Sequence, residues 1–388
     1  MHEGVFYTIF LIFAGAAVLS TVVLYTRQSL LVAYIILGAA LGPWGLKWIN
    51  DLTTVKDVGD VGIIFLLFLL GLHLQPQNLL HMLKKVTWIA MSSSFLFALI
   101  AYFIGCWFGL TTLESTILGA AMMFSSTIIG LKLLPTTILH HQHTGEVMIS
   151  ILLMQDIIAI VVLIIFSGSQ DGPFSWHDLV LVLVALPMLM LFAFAFERYI
   201  LVKLLAKFDR TQEYVFLLSI GWCLGMSMLA EAIGLTQDVG AFVGGVALAA
   251  SPISLFIAES LKPLRDFFLV LFFFSVGATF NFDYASQVMI PACILALLML
   301  FIKPACFIFL LKKTGEKKSV AKEVGIRLGQ ASEFSLLLAA IGLSTKVISE
   351  VASNLIQATT ILTFIVSSYL VVLKYPTPMS LSDNLRKD

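Results

Sequence analysis

Long runs of apolar residues, separated by short polar segments, fill almost the whole chain. A helix that crosses a membrane needs roughly 20 apolar residues, and a short or broken helix manages with fewer. The pattern therefore predicts thirteen membrane-spanning helices. The runs are Val5–Tyr25, Leu30–Leu46, Gly59–Leu74, Thr87–Leu110, Ser115–Leu134, Glu146–Ser167, Leu179–Leu204, Tyr214–Ile233, Val239–Ala250, Phe267–Phe280, Val288–Leu311, Gly325–Leu343 and Val351–Leu373.

Composition supports a membrane protein, because 60% of the 388 residues are of hydrophobic type and only 12% are charged. Soluble chains carry roughly a quarter charged residues. Lipid must therefore surround most of the surface. The formal net charge is zero, which gives no indication of a nucleic-acid partner. The fold class that follows is an all-α polytopic membrane protein.

Positive charges alternate between successive loops. Of the 23 lysines and arginines, eighteen fall in odd-numbered loops or the C-terminal tail, and only Lys47, Lys56 and Lys346 fall in even-numbered loops. Cytoplasmic loops carry this excess, and one missed helix would scramble it. The asymmetry predicts an odd number of spans, an external N-terminus and a cytoplasmic C-terminus. The segment 251–266, with two prolines and four charges, is expected to be one of these loops.

Asp156 lies near the middle of the sixth run, and no other acid lies between Val147 and Gln170. Burial in lipid penalises the charged form of such a carboxylate, so the group can bind either a proton or a cation. An Asp that only ties the helix to a neighbour is the simpler alternative. The depth favours a functional site.

Lys303 lies in the eleventh run, followed by Pro304. A buried ammonium needs an anion or carbonyl dipoles, and the proline frees a carbonyl that could accept from it. Snorkelling to the surface is disfavoured, because apolar or small residues separate Lys303 from Lys312.

A polar stretch interrupts the twelfth run at Gly329–Ser335 and contains Glu333, with Arg327 nearer the cytoplasmic end. A direct role in ion binding and an internal Arg–Glu pair that fixes the helix are equally good interpretations. The fifth run has a matching interruption at Phe124–Gly130. Broken helices in corresponding positions of two repeats indicate a transporter site. Runs one to six and eight to thirteen would form two inverted six-helix repeats, in which runs five and twelve are equivalent.

His140, His141 and His143 form a cluster in a predicted cytoplasmic loop. Metal binding or pH sensing is the alternative there, and a solvated loop is the favoured interpretation. The sequence has no phosphate loop, no dinucleotide fingerprint and no nucleophile constellation. We therefore expect no enzymatic reaction and no cofactor.

Several motifs, taken in order, resemble the Kef-type branch of the monovalent cation:proton antiporters over nearly the whole chain. Any one of them is weak, but the ordered set is specific. Besides Lys303, they are Gly38–Leu46, Phe124–Thr127, Gln155–Asp156, Gly240–Gly244, Phe272–Gly277 and Gly329–Phe334.

The resemblance implies thirteen helices, a homodimer, and a moving core that carries two broken, crossing helices. On this basis the chain divides into scaffold and dimerisation helices, core helices, a linker helix and a tail. The respective ranges are 1–82 and 211–284 for the scaffold, 83–168 and 285–376 for the core, 169–210 for the linker and 377–388 for the tail.

The resemblance also implies roles for the site residues. Asp156 would carry the cation and the proton, and Gln155 occupies the place where sodium-exporting relatives often have a second Asp. Thr127 and Ser126 would offer oxygens to a monovalent cation at the first break. Lys303, with Glu333 and Arg327, would balance charge in the core. The Gln-Asp pair is the pattern of glutathione-gated potassium efflux proteins, so potassium is the expected cation.

Three departures from the family pattern concern regulation. The common Gly-Leu-Glu-Leu-Asp-Pro motif reads Gly71-Leu-His-Leu-Gln-Pro76, which lacks both acids. The acidic regulatory loop is reduced to a fragment at Ala258–Pro263. Gated members continue into a nucleotide-binding domain, so either a cytoplasmic regulatory domain or subunit is missing from this sequence or this member lacks that regulation.

The leading hypothesis is potassium/proton exchange through a single membrane-embedded carboxylate, in a bacterial inner membrane. Sodium/proton exchange remains open. A channel-like potassium pathway would favour a continuous polar filter, which the sequence lacks. An anion or organic-substrate carrier would favour an inward Arg with an aromatic lining, and the central Asp argues against it.

Overall fold

The computed structural model describes residues 5–26, 28, 30–49, 51–73, 76–133, 143–167, 176–208, 211–235, 237–249, 251 and 253–377. The regular structure of these residues is helical. The helices are α1 (Val5–Tyr25), α2 (Leu30–Leu41), α3 (Thr53–His73), α4 (Pro76–Trp107), α5 (Thr112–Met122), α6 (Thr127–Lys132), α7 (His143–Ser167), α8 (Trp176–Phe196), α9 (Val202–Lys207), α10 (Gln212–Ala232), α11 (Gln237–Ala249), α12 (Ser254–Thr279), α13 (Ala285–Lys313), α14 (Lys318–Arg327), α15 (Glu333–Ser344) and α16 (Glu350–Lys374).

Each of the thirteen apolar runs contains a described helix or a pair of consecutive helices. The seventh run holds α8 and α9, which a π-helical turn at Glu197–Leu201 joins. The fifth run holds α5 and α6, and the twelfth holds the end of α14 and then α15. In these two runs the helix stops and restarts within the span, as the polar interruptions predicted.

Seven of the described helical segments are long and apolar enough to cross a membrane, judged by length and composition. Shorter apolar helices occur at Leu30–Leu41, Val239–Ala249 and Glu333–Ser344. The chain is therefore an all-α, polytopic membrane protein. The seven segments are Val5–Tyr25, Val86–Trp107, His143–Leu163, Val184–Leu205, Gln212–Ala232, Phe282–Lys313 and Glu350–Lys374.

The expectation of a loop over residues 251–266 is wrong for most of that segment. Helix α12 begins at Ser254 and continues through Pro263 to Thr279. Proline in a helix interior is unfavourable, but Leu261, two residues earlier, is fully buried, so packing holds the segment helical despite its proline and its charges.

The chain forms two compact units. One comprises residues 1–50, 82–159 and 276–388, and the other comprises residues 51–81 and 160–275. These units do not coincide with the predicted division into scaffold and core, which remains a prediction.

In the second unit, helices α3 and α11 approach at backbone distance. A Cβ atom on Gly245 would lie 2.1 Å from the carbonyl oxygen of Phe68, and one on Gly71 would lie 2.5 Å from that of Phe242. Real Cβ atoms essentially never come within 3.0 Å of such atoms. Glycine is therefore required at both positions, as is typical of tightly packed membrane helices.

The first unit contains both helix interruptions. We call residues 123–126, between α5 and α6, the first break, and residues 328–332, between α14 and α15, the second break. Serines in each break replace helical hydrogen bonds with side-chain ones. Ser126 accepts from the backbone N–H of Ile129 at 3.0 Å, and Ser332 accepts from that of Phe334 at 3.2 Å. These caps allow α6 and α15 to restart.

Candidate functional site

The two breaks contact each other directly. The Ser125 hydroxyl donates to the carbonyl of Leu328 at 2.8 Å, and the Gln330 amide donates to that of Ser126 at 3.4 Å. In addition, the Ser335 hydroxyl at the start of α15 donates to the carbonyl of Ala121 near the end of α5. The interrupted spans therefore cross at their unwound segments, which confirms the predicted crossing.

Asp156 faces the first break from helix α7. Its residue surface is only 1% exposed. The hydroxyl of Thr127, the first residue of α6, lies 3.2 Å from one carboxylate oxygen and 3.1 Å from the other. The structure thus brings together two of the four side chains predicted to bind the cation.

The other two, Gln155 and Ser126, serve the backbone of the first break. The Gln155 side-chain oxygen accepts from the N–H of Ser125 at 3.2 Å, and its amide nitrogen donates to the carbonyl of Met123 at 3.3 Å. Gln155 is fully buried. It therefore pairs with one backbone N–H and one backbone carbonyl that have no helical partner in the first break.

Lys303 lies between the two breaks. Its ammonium donates to the carbonyl of Phe124 in the first break at 2.5 Å and to that of Gln330 in the second at 3.2 Å. It also lies 5.2 Å from the centre of the Phe97 ring. Lys303 has no exposed surface. Carbonyl dipoles do receive this ammonium, as expected, but the expectation that Pro304 frees the accepting carbonyl is wrong, because the breaks supply both acceptors.

Glu333 begins α15 and is 4% exposed. Its carboxylate accepts from the Ser332 hydroxyl at 3.5 Å and interacts electrostatically with Asp156. A second buried acid therefore lies next to the second break, in addition to Asp156. The description of the site as a single carboxylate leaves this acid out.

Arg327, at the end of α14, is buried among one carboxylate and two backbone carbonyls. Its guanidinium pairs with Glu323, one turn earlier, at 3.0 and 2.9 Å. It also donates to the carbonyls of Leu133 and Pro376, at 2.9 and 2.8 Å. The expected pairing of Arg327 with Glu333 is therefore wrong: Arg327 pairs with Glu323, because an i,i+4 spacing on one helix brings these two groups together.

Helix α16 contributes residues that the sequence interpretation overlooked. Thr363 accepts from the backbone N–H of Ala331 at 3.0 Å, and Ser367 donates to the side-chain oxygen of Gln330 at 2.9 Å. Both α16 residues are buried. Their spacing of four within an apolar span is the signal that could have identified them.

The histidine cluster is described only in part, since His140 and His141 lie outside the described residues. His143 lies 2.9 Å from Glu316 and 3.3 Å from Glu146, one carboxylate at each ring nitrogen. Within the described part of the chain, no three His, Cys, Asp or Glu side chains are grouped closely enough to hold a metal ion.

Comparison with known proteins places this geometry in context. The family described as "Sodium/hydrogen exchanger, transmembrane" matches residues 9–373. The chain is 27% identical over 348 residues to the iron transporter MagA of Paramagnetospirillum magneticum, with 88% of this chain and 79% of that protein covered. It is 28% identical over 377 residues to K(+) efflux antiporter 5 of Arabidopsis thaliana, with 92% of this chain covered. The match spans only 64% of the plant protein's length.

A solved structure shares the fold. The sodium proton antiporter MjNhaP1 of Methanocaldococcus jannaschii, determined at pH 8, superposes with a TM-score of 0.68 at 15% identity, and the match covers 94% of each chain. At that identity the likeness concerns the fold alone. The family match over most of the chain is more specific, and it agrees with the broken, crossing spans and the buried acid. This chain belongs to the sodium/hydrogen exchanger family of membrane transporters.

Proposed function

We propose that this chain exchanges potassium for protons by alternating access, with Asp156 as the site for which the two ions compete. The observation that carries the proposal is the placement of the Asp156 carboxylate, 1% exposed, against the Thr127 hydroxyl at the first break. Unwound backbone next to a buried acid supplies oxygens for a partly dehydrated cation.

Competition for one carboxylate explains why such a protein exchanges ions without leaking. A bare carboxylate is costly in a medium of low dielectric constant, whereas a protonated or cation-paired one is not. The site therefore crosses the membrane with either ion but not empty. At low pH the proton occupies the site, and at high pH too few protons return, so exchange passes through an optimum.

Charges around Asp156 favour an electroneutral cycle. Gln155 places a neutral amide, not a second acid, beside it in sequence. Lys303 and Glu333, both buried at the crossing, carry opposite formal charges. When one monovalent cation replaces one proton at Asp156, the net charge of the binding site is then the same in both halves of the transport cycle.

The identity of the cation rests on two supports, the Gln155-Asp156 pair and the name of the plant relative. Sodium is the second candidate, because the archaeal protein with this fold exchanges sodium. The name of MagA makes iron a useful ion to include in any assay.

The test is a cation panel with the purified protein in liposomes that contain a pH-sensitive dye. External K⁺, Rb⁺, Na⁺ or Fe²⁺ is added to acid-loaded vesicles, and proton efflux is followed. We expect K⁺ and Rb⁺ to drive efflux at lower concentrations than Na⁺. A preference for Na⁺ or Fe²⁺ would refute the potassium assignment. Rubidium uptake with no proton counterflow would refute exchange and favour a channel-like pathway.

The remaining expectations concern the setting of the protein. We propose a homodimer in a bacterial inner membrane, with the C-terminus in the cytoplasm. Crosslinking in native membranes tests the dimer. Labelling of single cysteines placed at Lys47 and Lys313, which are predicted on opposite sides, tests the orientation.

A further inference from the structure

Helix α16 carries a row of buried polar side chains that the exchange mechanism at Asp156 does not use. All are at most 3% exposed. Polar groups at membrane depth are costly and usually serve a purpose. The row consists of Ser353, Gln357, Thr360, Thr363 and Ser367.

Thr363 holds one end of a peptide group whose other end faces Lys303. The N–H of Ala331 donates to the Thr363 hydroxyl oxygen at 3.0 Å, and the Lys303 ammonium donates to the carbonyl of Gln330 at 3.2 Å. That N–H and that carbonyl belong to the same planar peptide unit, and in a trans peptide they point in opposite directions. Thr363 therefore fixes the direction in which the Gln330 carbonyl points.

The Thr363 hydroxyl is itself oriented for this task. It donates to the carbonyl of Thr360 in its own helix at 2.8 Å, which leaves its lone pairs for Ala331. All of these groups are buried. Without the hydroxyl, the N–H of Ala331 would lose its partner in a dry environment, and the peptide would lose its anchor.

Ser367 fixes the side chain of Gln330, whose carbonyl accepts from Lys303. Its hydroxyl donates to the Gln330 side-chain oxygen at 2.9 Å, and the nitrogen at the other end of that amide donates to the carbonyl of Ser126 at 3.4 Å. A glutamine amide is nearly symmetric in shape, so its hydrogen-bond partners decide which end points where. Because Ser367 supplies a donor, the nitrogen end faces the first break.

From these contacts we infer that Thr363 and Ser367 are positioning residues for ion exchange. Helix α16 holds the 330–331 peptide and the Gln330 amide, so that the second break presents its carbonyl to Lys303 and its amide to the first break. The inference rests on the proposed exchange function. It assigns a part in that function to α16, although none of the hydrogen bonds described here joins α16 to Asp156 or Thr127.

The chain offers a matched control for each test variant. Thr363→Val is compared with Thr360→Val, since within the described part of the chain the Thr360 hydroxyl donates only to the carbonyl of Ile356 in its own helix, at 2.8 Å. Ser367→Ala is compared with Ser368→Ala, since the buried Ser368 hydroxyl has no hydrogen-bond partner among the described residues. Thr363→Ser and Ser367→Thr retain the hydroxyls and serve as rescue variants.

The measurement is the concentration dependence of cation-driven proton efflux in liposomes, with the amount of folded protein determined by size-exclusion chromatography. Removing one partner of a buried hydrogen bond corresponds to about 5- to 150-fold in an equilibrium constant. We expect Thr363→Val and Ser367→Ala to raise the apparent KM for the cation at least about fivefold. The controls and the rescue variants should stay within about twofold of wild type.

Loss of folded protein alone would lower the maximal rate and leave KM unchanged, so the split between KM and maximal rate separates positioning from mere stability. If a test variant does not fold, the other one decides. A KM equal to that of the matched control would overturn the inference. Absence of exchange in the wild-type protein would instead refute the proposed function, before any α16 variant is compared.

Discussion

The hydroxyl of Thr127 lies within 3.2 Å of both carboxylate oxygens of Asp156. The contact joins the start of α6, just after the first break, to the middle of α7. Because the hydroxyl bonds to both oxygens, it fixes the orientation of the carboxylate relative to the unwound segment. Site geometry at Asp156 thus depends on a residue that sequence analysis assigned as a cation ligand.

Replacing Thr127 by valine should weaken cation binding without unfolding the protein. The shape of the side chain is retained, while the hydrogen bond to a charged group, worth about 1.5–3 kcal/mol, is lost. We expect the apparent KM for the cation in liposomes to rise about tenfold or more. Thr127→Ser keeps the hydroxyl and should stay close to wild type. Equal KM values for the two variants would contradict this role.

Gln155 should contribute more to stability than an ordinary buried glutamine. In Gln155→Leu, the N–H of Ser125 and the carbonyl of Met123 both lose their side-chain partner. Each buried orphan costs about 1–3 kcal/mol. Thermal unfolding in detergent should therefore occur at a clearly lower temperature than for wild type.

A matched control for this prediction is Gln357→Leu. The Gln357 amide donates only to the Ser353 hydroxyl at 3.2 Å, and its buried oxygen has no partner among the described residues. The same change should therefore cost less there. If both variants unfold at the same temperature, the break does not depend on Gln155.

Arg327 should behave as a structural residue. Lysine keeps the positive charge but cannot reproduce the three-way contact with Glu323, Leu133 and Pro376, and each buried acceptor left unpaired costs about 1–3 kcal/mol. Arg327→Lys should lower the unfolding temperature and the folded yield, while the folded fraction keeps a normal KM. Arg265→Lys, at the more exposed pair with Asp266, should cost under about 1 kcal/mol. A raised KM in folded Arg327→Lys would indicate a direct role in ion binding.

Glu114 should make stability depend on pH at the predicted outer end of the first unit. It lies just before the predicted span Ser115–Leu134, and its carboxylate accepts from the N–H of Ser349 at 3.0 Å and from Thr111 at 3.0 and 2.8 Å. Burial raises the pKa of Glu114, but hydrogen bonds from Ser349 and Thr111 outweigh this effect and lower the pKa to about 2.

The sign follows from this lowered pKa. A carboxyl with a lower pKa in the folded state stabilises the protein fully above its ordinary pKa of about 4.3, and the stabilisation is lost as the pH falls towards 2. The difference in unfolding temperature between wild type and Glu114→Gln should therefore shrink from pH 6 to pH 3. Glu213→Gln, at an exposed position, is the control and should show little difference at any pH. A constant difference for Glu114→Gln would contradict the assignment.

Much of the fold could be predicted from the sequence, because a helix that crosses lipid needs a long run of apolar residues. Apolar run length located the spans, and the polar stretches around Ser126 and Ser332 located both breaks. Asp156 was identifiable as a lone acid at membrane depth. Residues 254–266 were misassigned as part of a loop, since local charge and proline content outweighed a packing partner that the sequence does not reveal.

The details of the site were less readable, because they depend on which carbonyl or amide a buried group meets. Lys303 was expected to use a carbonyl freed within its own helix, but it bonds to both breaks instead. Gln155 was expected at the cation, which stays a prediction, and its hydrogen bonds to the backbone of the first break were not foreseen. The spacing of Thr363 and Ser367 is visible in the sequence, but their contacts with the second break follow only from the three-dimensional arrangement of segments far apart in the chain.

The central claim is that Asp156 is the site at which cation and proton compete, and its most direct test is Asp156→Asn in liposomes. The amide keeps the shape but cannot take up or release a proton. Potassium-driven proton efflux is measured for wild type and variant at equal amounts of folded protein. We expect the variant to show no exchange above protein-free vesicles. Exchange by Asp156→Asn at a rate near wild type would contradict the account.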